Sequence, residues 1–206
     1  MTIRTVIFGG TGDVGQIIVD MLNGASQAVT VLTRQDKKST EHIHFIPGNV
    51  LDYDAVENCI NEGDQIIISL GFNNSALDTM SKGTRNILEA MAAKNCTRII
   101  CLSAQGAGDS WNYMPDEFKH MVMNDPILSA SFHDHGIQEE LVRNSKLEWT
   151  IVRPTEIVSE PAKGTFTINR PTEHSIFQIS KYDVARFIVD ELRGNRYTRQ
   201  VVMITD

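Results

Sequence analysis

The sequence lacks any long hydrophobic run. No apolar stretch approaches the ~20 residues that a membrane-spanning helix needs, and Met1-Thr2-Ile3-Arg4 leads straight into a β-branched segment rather than a signal peptide. We therefore expect a cytoplasmic protein that has no membrane partner.

Cysteine and positive charge are also scarce. Cys59, Cys96 and Cys101 form no Cys-x-x-Cys pair, so we expect buried, reduced thiols rather than a disulfide or a zinc site. The formal net charge is −7, and no run of Lys or Arg is dense enough to neutralise successive phosphates. We expect no nucleic-acid partner and a small molecule as the ligand; the sequence leaves the oligomeric state open.

The pattern of the chain predicts an α/β fold. Its 206 residues, 41% of them hydrophobic, suit one domain, and short β-branched runs alternate with segments of helical period. This alternation indicates a Rossmann-type, doubly wound, mainly parallel sheet with helices on both faces. The predicted strands are Thr5–Phe8, Ala28–Thr33, His44–Ile46, Gln65–Leu70, Arg98–Ser103, Glu148–Val152 and Val201–Ile204, and the predicted helices are Gly15–Leu22, Lys82–Ala93, His135–Asn144 and Lys181–Arg193.

One stretch, residues 104–126, looks irregular. It follows the fifth strand, contains aromatic and Met residues, and is interrupted by Gly106, Gly108, Pro115 and Pro126. A loop of this length in a compact domain is often functional, so we predict a lid over a substrate.

A glycine-rich turn lies between the first strand and the first helix. The glycines follow the pattern Gly-x-x-Gly-x-x-Gly, in which the first permits a sharp exit from the strand, the second a close approach of a pyrophosphate, and the third tight helix packing. Free amides at the helix N-terminus would bind the anion. The alternative is an ordinary turn, but the context favours a dinucleotide site made of Gly9, Thr11, Gly12, Asp13, Val14 and Gly15.

The end of the second strand indicates which dinucleotide is bound. An NAD site usually has an acidic residue there, whereas this strand ends in Thr33 and Arg34. A guanidinium can pair with the 2′-phosphate of NADP, and Lys37 or Lys38 could add charge. We therefore expect NADP(H), although Arg34 could be a plain surface residue and Asp36 could still admit NAD.

Several segments together resemble the biliverdin-IXβ reductase/flavin reductase family of atypical short-chain dehydrogenases/reductases. Besides the glycine turn and Arg34, they are residues 48–52, 81–91, 98–103, 147–154 and 179–183. The resemblance implies that Asn49 and Val50 contact the adenine and that Leu70 and Gly71 flank the cofactor. The family usually has Asp at the position of Asn49, and an amide can still bond to the adenine amino group.

The same resemblance places Ser103, Pro154 and Thr155 beside the nicotinamide, and makes Ser103 the candidate catalytic residue. Sites of open α/β sheets lie at such carboxyl ends of strands. The alternatives are a serine that caps its own loop and a proline that only begins one.

The sequence lacks the Tyr-x-x-x-Lys pair that typical short-chain dehydrogenases use to protonate a carbonyl oxygen. The helix before the sixth strand contains no Tyr, and Tyr113 is followed four positions later by Glu117. Hydride transfer to a conjugated acceptor needs no such acid, because the negative charge delocalises over the acceptor. Binding and orientation can then supply most of the rate acceleration. We therefore expect an NADPH-dependent reductase of a flavin-like, quinone or other planar acceptor, with Phe72, Trp111, Tyr113 and Phe118 as candidate substrate walls.

Other interpretations remain open. Each of these aromatics could instead serve local packing, and Glu156 stands where the family's biliverdin reductases often have histidine, which argues against assuming a tetrapyrrole substrate. A non-catalytic NADP(H) sensor would show the same cofactor features; an epimerase fits poorly because the chain after the sixth strand is short. His133-Asp134-His135 has no third ligand at a recognisable spacing, so we expect helix capping by Asp134 and no metal site.

Overall fold

A mainly parallel sheet of eight strands forms the centre of the molecule. The structure, a computed structural model, describes residues 3–72, 77–168 and 178–206. Within them the strands are β1 (Thr5–Phe8), β2 (Val29–Thr33), β3 (Ile43–Pro47), β4 (Gln65–Ile68), β5 (Arg98–Leu102), β6 (Glu148–Pro154), β7 (Glu156–Val158), β8 (Thr167–Ile168), β9 (Gln178–Ser180) and β10 (Gln200–Thr205).

The strand order is that of a Rossmann fold. It runs β3-β2-β1-β4-β5-β6-β10-β8, with every pairing parallel except that of β8 with β10, while β7 and β9 form a separate parallel pair. The chain proceeds from β1 to one side of the sheet and returns to its other side at β4. This switch of direction opens a crevice at the carboxyl ends of β1 and β4, where such folds bind ligands.

Helices cover both faces of the sheet. They are α1 (Asp13–Gly24), α2 (Tyr53–Glu57), α3 (Thr79–Ala93), a 3₁₀ helix (Gly108–Tyr113), α4 (Asp116–Asn124), α5 (Pro126–Asn144) and α6 (Lys181–Gly194). Ile18 and Phe187 from α1 and α6 pack in one buried core, and Ile87 and Val142 from α3 and α5 pack in the other. Successive strand residues contribute to opposite cores because side chains alternate across a sheet. The predicted α/β fold is therefore confirmed.

The expectation of an irregular loop over residues 104–126 is wrong. The 3₁₀ helix and α4 occupy much of it, and α5 begins nine residues before the predicted start at His135. Pro115 is the residue before α4 and Pro126 is the first residue of α5. Proline is well suited to the first turn of a helix, where its missing N–H is not needed, so these prolines start helices instead of breaking a loop.

Asp134 does not cap its own helix, as the sequence suggested. Asp125 fulfils that role for α5 by accepting from the amides of Ile127 and Leu128. The buried Asp134 carboxylate instead accepts from the backbone N–H of Met80 at 2.9 Å and of Ser81 at 3.2 Å. It therefore caps α3 and fixes α5 against it, a contact between distant segments that local sequence cannot reveal.

The three cysteines are free and buried, as predicted. Burial raises the pKa of the Cys59 thiol to about 11, which keeps it protonated and unreactive at neutral pH. Among the helices of the described segments, none combines the length and the hydrophobicity required to cross a lipid bilayer.

Candidate cofactor and substrate site

The fold itself requires two glycines of the turn after β1. A Cβ on Gly9, which has a φ of +88°, would lie 2.1 Å from the carbonyl oxygen of Ser69, and a Cβ on Gly15 would lie 2.1 Å from that of Gly9. Neither carbonyl can move without displacing β4 or the start of α1. These two glycines therefore hold the strand, the turn and the helix in close contact.

Gly12 is different, because the protein leaves room for a side chain there. Its φ of −82° and ψ of 175° suit any residue, and a Cβ would meet its nearest atom, the Gly9 carbonyl oxygen, at 3.4 Å. Gly12 is also the residue before α1, and no side chain of the described chain caps that helix. The open space and the exposed amides of the first turn fit a diphosphate group.

Two cavities meet above this turn. The smaller has a volume of about 360 Å³ and the larger about 640 Å³. Gly12, Ser69, Leu70 and Gly71 border both, so the two volumes form one elongated site across the switch point of the sheet. A Cβ on Gly71 would have no neighbour within 4 Å, which leaves space for a ligand there too.

The smaller cavity contains most of the residues predicted to bind the adenosine half of the cofactor. The predicted residues in its lining are Gly9, Thr11, Gly12, Thr33, Arg34, Asn49, Val50, Leu70 and Gly71. Sequence reasoning missed Phe8, Leu32, Gln35, Gly48, Leu51, Ser69 and Thr79. All but Thr79, the first residue of α3, lie at or just after the ends of β1 to β4, so strand-end position alone could have indicated them.

Arg34 lies exposed at the rim of the smaller cavity. The turn that carries it is fixed by the Thr33 hydroxyl, which accepts from the Gln35 backbone N–H at 3.0 Å. Lys37 is engaged elsewhere, since its ammonium donates to Gln16 Oε1 at 3.0 Å. Asp36 is not part of the described lining of the smaller cavity, and Arg34 is the one charged residue that is.

Asn49 and Val50 are held firmly by local contacts. The Asn49 side-chain oxygen accepts from the Leu51 backbone N–H at 3.1 Å, which leaves its NH₂ group as the donor for a ligand. Asn86, on α3, donates to the Val50 carbonyl at 3.0 Å. Gly83 lies so close beneath Val50 that a Cβ there would approach its methyl groups to 2.8 Å.

The larger cavity is mainly apolar and lies beside the carboxyl ends of β5 and β6. Predicted site residues in its lining are Gly12, Asp13, Val14, Leu70, Gly71, Ser103, Tyr113, Phe118, Pro154 and Thr155. Sequence reasoning missed Ser69, Leu102, Ala104, Gln105, Met114, Pro115, Met121, Leu128, Phe132, His135, Glu156 and Ile157. Several of these belong to α4 and to the unpredicted first half of α5.

Two of the four predicted substrate aromatics do not line this cavity. Among the described residues, Trp111 is absent from both linings and packs on Phe118 with ring centres 6.3 Å apart. Phe118 in turn meets Phe132 edge to face at 5.4 Å. Phe72 lines the smaller cavity instead. Trp111 thus packs against a residue of the larger cavity and Phe72 borders the smaller one, so the role of these two aromatics as substrate walls stays a prediction that the cavity linings do not support.

A buried ionic network lies behind Ser103. The Ser103 hydroxyl donates to Glu139 Oε1 at 2.7 Å, and the Arg153 guanidinium binds both oxygens of that carboxylate, at 2.8 and 2.5 Å. Arg153 also donates to Asp109 at 2.5 Å, which anchors the 3₁₀ helix. Burial alone would lower the pKa of Arg153, but the hydrogen bonds and charges of Glu139 and Asp109 raise it above its ordinary value.

This network determines what Ser103 can offer a ligand. Its hydrogen points to the Glu139 carboxylate, which is paired with Arg153, so only the oxygen lone pairs of Ser103 are left for the cavity. Ser103 is thus suited to accept a hydrogen bond, for example from a carboxamide. The assignment of Ser103 as the catalytic residue stays a prediction, but direct proton donation by its hydroxyl is disfavoured.

His135 is a site residue that sequence reasoning missed. It lines the larger cavity and lies one helical turn before Glu139, on the same side of α5. Its Nδ1 is 3.1 Å from Gln138 Oε1, and Gln138 Nε2 donates to Thr84 Oγ1 at 3.1 Å. The i, i+4 spacing of His135 and Glu139 was visible in the sequence, but nothing there showed which side faced a cavity.

Among the residues that the structure describes, no group of three or more His, Cys, Asp or Glu is placed to hold a metal ion. His133 is exposed, Asp134 caps α3, and His135 faces the larger cavity. The His-x-His sequence therefore directs its three side chains to three different surroundings.

Comparison with known proteins agrees with this site. Residues 9–194 match the family described as NAD(P)H-binding. ChuY of Escherichia coli O157:H7, described as an anaerobillin reductase, superposes with a TM-score of 0.84 at 18% identity over 98% of this chain and 96% of that one. A short-chain dehydrogenase/reductase of Veillonella parvula, solved in complex with NADP, gives a TM-score of 0.81 at 22% identity over 100% and 95% of the two chains.

A third solved structure, the oxidoreductase ylbE of Lactococcus lactis, has a TM-score of 0.85 at 18% identity and covers 99% of this chain and 91% of its own. At these identities the structures establish a common fold, while the family match extends from the glycine turn to the end of α6. The chain therefore belongs to the NAD(P)H-binding family and has the fold of an atypical short-chain dehydrogenase/reductase, as its sequence resemblance implies.

Proposed function

We propose that this protein is an NADPH-dependent reductase that delivers hydride to a flavin-like, quinone or other planar conjugated acceptor. The observation that carries the proposal is the pair of cavities joined above Gly12. The smaller has the size and polarity for an adenosine. The larger is wide and mainly apolar, with room for a nicotinamide and a second ring system stacked on it.

The smaller cavity supports NADPH rather than NADH. Arg34 lies at its rim, and the described lining of that cavity contains no carboxylate that would accept hydrogen bonds from the ribose hydroxyls. A guanidinium forms charge-assisted bonds with a phosphate. The first turn of α1 binds the diphosphate, Asn49 bonds to the adenine edge, and Ser103 accepts from the carboxamide of the nicotinamide.

The larger cavity supports a conjugated acceptor. Bound NADPH supplies the hydride, and the overall reaction consumes one NADPH and one proton per two-electron reduction. The described lining contains one phenol, that of Tyr113, but this side chain is 65% exposed and no Lys or Arg of the described lining lies beside it. Protonation of an isolated alkoxide therefore has no preorganised acid, whereas a conjugated acceptor spreads the charge and takes its proton from solvent.

The protein's contribution is binding, orientation and exclusion of water. Phe118 and Phe132 form a rigid aromatic wall, and Met114 and Met121 offer adaptable apolar surface on the same side. Asp109, held by Arg153 and Arg143, fixes the 3₁₀ helix at the edge of this wall. The fold shared with a protein described as an anaerobillin reductase agrees with reductase chemistry.

An acceptor screen tests this proposal. NADPH and NADH oxidation is followed by absorbance with lumiflavin, FMN, a benzoquinone and a linear tetrapyrrole as acceptors. We expect at least one planar acceptor to be reduced, and to be reduced faster with NADPH than with NADH. In Arg34→Glu this preference for NADPH over NADH should be lost. Absence of turnover with every acceptor, at protein concentrations where NADPH binding is saturated, would refute the reductase.

A non-catalytic sensor of the NADP/NADPH ratio is the second candidate. It is favoured by one observation, namely that the hydrogen of Ser103 is directed to Glu139 and so the predicted catalytic group donates no proton. A sensor would bind oxidised and reduced cofactor with different affinities and change its association state without turnover. Calorimetry with both forms and light scattering in their presence separate the two functions.

A further inference from the structure

The hydrogen bonds behind His135 fix which nitrogen carries its proton. Gln138 Nε2 donates to Thr84 Oγ1, so the Gln138 oxygen is the atom that faces His135 Nδ1. An amide oxygen can only accept, and therefore Nδ1 must carry the hydrogen. In the neutral ring, Nε2 is then an unprotonated acceptor on the edge that Gln138 does not occupy.

Several other polar groups in the described lining of the larger cavity are acceptors as well, although Gln105, Tyr113 and Thr155 can also donate. Ser103 presents lone pairs because its hydrogen goes to Glu139, and Asp13 and Glu156 contribute carboxylates. Within the described lining, no Lys or Arg balances them. A ligand of this cavity satisfies the polar groups best when it carries hydrogen-bond donors and no negative charge of its own.

We propose that His135 determines acceptor specificity, because its Nε2 accepts a hydrogen bond from an N–H group of a neutral, planar acceptor. The inference rests on the proposed reductase function and deepens it. It assigns a substrate class, planar heterocycles with a ring N–H, and it gives His135 the role of a positioning residue rather than of an acid.

The pH response of the site follows from this arrangement. Burial lowers the pKa of His135 below its ordinary value, against the opposing effects of the Gln138 hydrogen bond and of the charges on Glu139 and Asp134. The ring is therefore neutral at pH 7. Besides His135, the titratable groups in the described lining of the cavity are Asp13 at the start of α1, Tyr113 in the 3₁₀ helix and Glu156 in β7, while α3 presents the neutral Thr84 to Gln138.

Two flavins test the proposal. Lumiflavin has a single N–H, at N3, and 3-methyllumiflavin lacks it. Quenching of their fluorescence gives both affinities for the protein saturated with NADP⁺, without any need for turnover. Since loss of the donor leaves a buried acceptor unpaired, we expect lumiflavin to bind about 5- to 100-fold more tightly. In His135→Phe, which keeps a ring of similar size, the two affinities should agree within about 2-fold.

The matched control is His133→Phe, an exposed position on the same helix outside the described cavity linings, which should keep the full discrimination. The unmodified protein provides a second test that needs no variant. Its preference for lumiflavin should disappear at acid pH, once the pH falls below the lowered pKa of His135 and Nε2 gains a proton. The ratio of the two affinities cancels any titration of the cofactor phosphate.

Equal binding of the two flavins at pH 7.5, or no binding of either, overturns the inference. So does a preference for lumiflavin that grows at low pH, because His135 would then act as a donor. Failure of the proposed function has a different signature: the discrimination at N3 persists, but no acceptor is reduced by NADPH.

Discussion

Replacement of Gly12 by alanine separates what the fold needs from what the cofactor needs. The protein leaves space for this Cβ, whose nearest atom would be 3.4 Å away, and the backbone angles at Gly12 suit alanine. Replacement of a glycine by alanine at the residue before a helix lowers the free energy of unfolding by up to about 1 kcal/mol. The lower conformational entropy of the unfolded alanine variant raises it by about 0.4 to 1 kcal/mol. The free energy of unfolding should therefore change by less than about 1 kcal/mol.

Cofactor binding should change far more. The added methyl group occupies the space above the first turn of α1, where Asp13 and Val14 line the larger cavity and where free amides of a helix N-terminus would bind the diphosphate. A charge-assisted hydrogen bond to such an amide contributes about 1.5 to 3 kcal/mol. Displacement of the diphosphate by the methyl group should weaken one or two of these bonds, a loss of about 2 to 4 kcal/mol. NADPH and NADH should both bind about 30- to 1,000-fold more weakly.

The matched control is Gly15→Ala, three residues away in the same turn. There a Cβ would lie 2.1 Å from the Gly9 carbonyl oxygen, so the start of α1 must shift and stability should fall by about 3 kcal/mol or more. Urea unfolding and calorimetry of cofactor binding measure the two effects separately. A Gly12→Ala protein of normal stability that binds NADPH with unchanged affinity would refute a diphosphate site at this turn.

Three further changes test other parts of the site. Arg34→Glu should weaken the binding of NADPH by about 2 to 4 kcal/mol and leave the binding of NADH unchanged. In the same calorimetry, Lys146→Glu, at the opposite end of the sheet, should change the binding of neither cofactor. Equal losses for both cofactors in Arg34→Glu would show that Arg34 does not bind the 2′-phosphate. Glu139→Gln removes the buried one of the two carboxylates that pair with the Arg153 guanidinium and leaves only the more exposed Asp109. It should cost about 3 kcal/mol in urea unfolding, against less than about 0.5 kcal/mol for the exposed neighbour Glu140→Gln; similar values for the two would contradict the network. The pKa of His135 is lower in the folded protein than in the unfolded chain. As the pH drops below about 6.5, the unfolded chain therefore binds a proton at this position before the folded protein does, and the free energy of unfolding should fall. Thermal unfolding of His135→Phe should lack this part of the pH dependence.

The sequence predicted the fold, and it also predicted many of the residues that line the smaller cavity, for a physical reason. Both are encoded in local patterns, since β-branched runs form the strands and the residues that follow them meet at one edge of the sheet. Thr33, Asn49 and Leu70 each follow or end a strand, and all three line the smaller cavity. Parallel topology converts such local positions into a site without any knowledge of long-range contacts.

The substrate half could not be predicted in the same way, because it depends on contacts between distant helices. Pro115 and Pro126 suggested a broken loop, yet both lie where a proline favours helix formation. Helices α4 and α5 then place Met121 and Phe132 around the larger cavity, and Trp111 packs behind its wall.

The chemistry of this half is also tertiary in origin. The hydrogen of Ser103 is directed by Glu139, which in turn is held in place by Arg153 from another strand. The proton of His135 is positioned by Gln138, whose amide is oriented by Thr84 on α3. Residue types alone indicate that these groups can donate and accept, but only their partners decide which they do.

A crystal structure with bound NADPH and lumiflavin tests the central claim most directly. The account predicts a diphosphate in contact with the backbone amides at Asp13 and Val14, a 2′-phosphate beside Arg34, and the nicotinamide next to Ser103 with the flavin stacked on it. A cofactor bound elsewhere, or a nicotinamide outside the larger cavity, would contradict the proposed site and the chemistry derived from it.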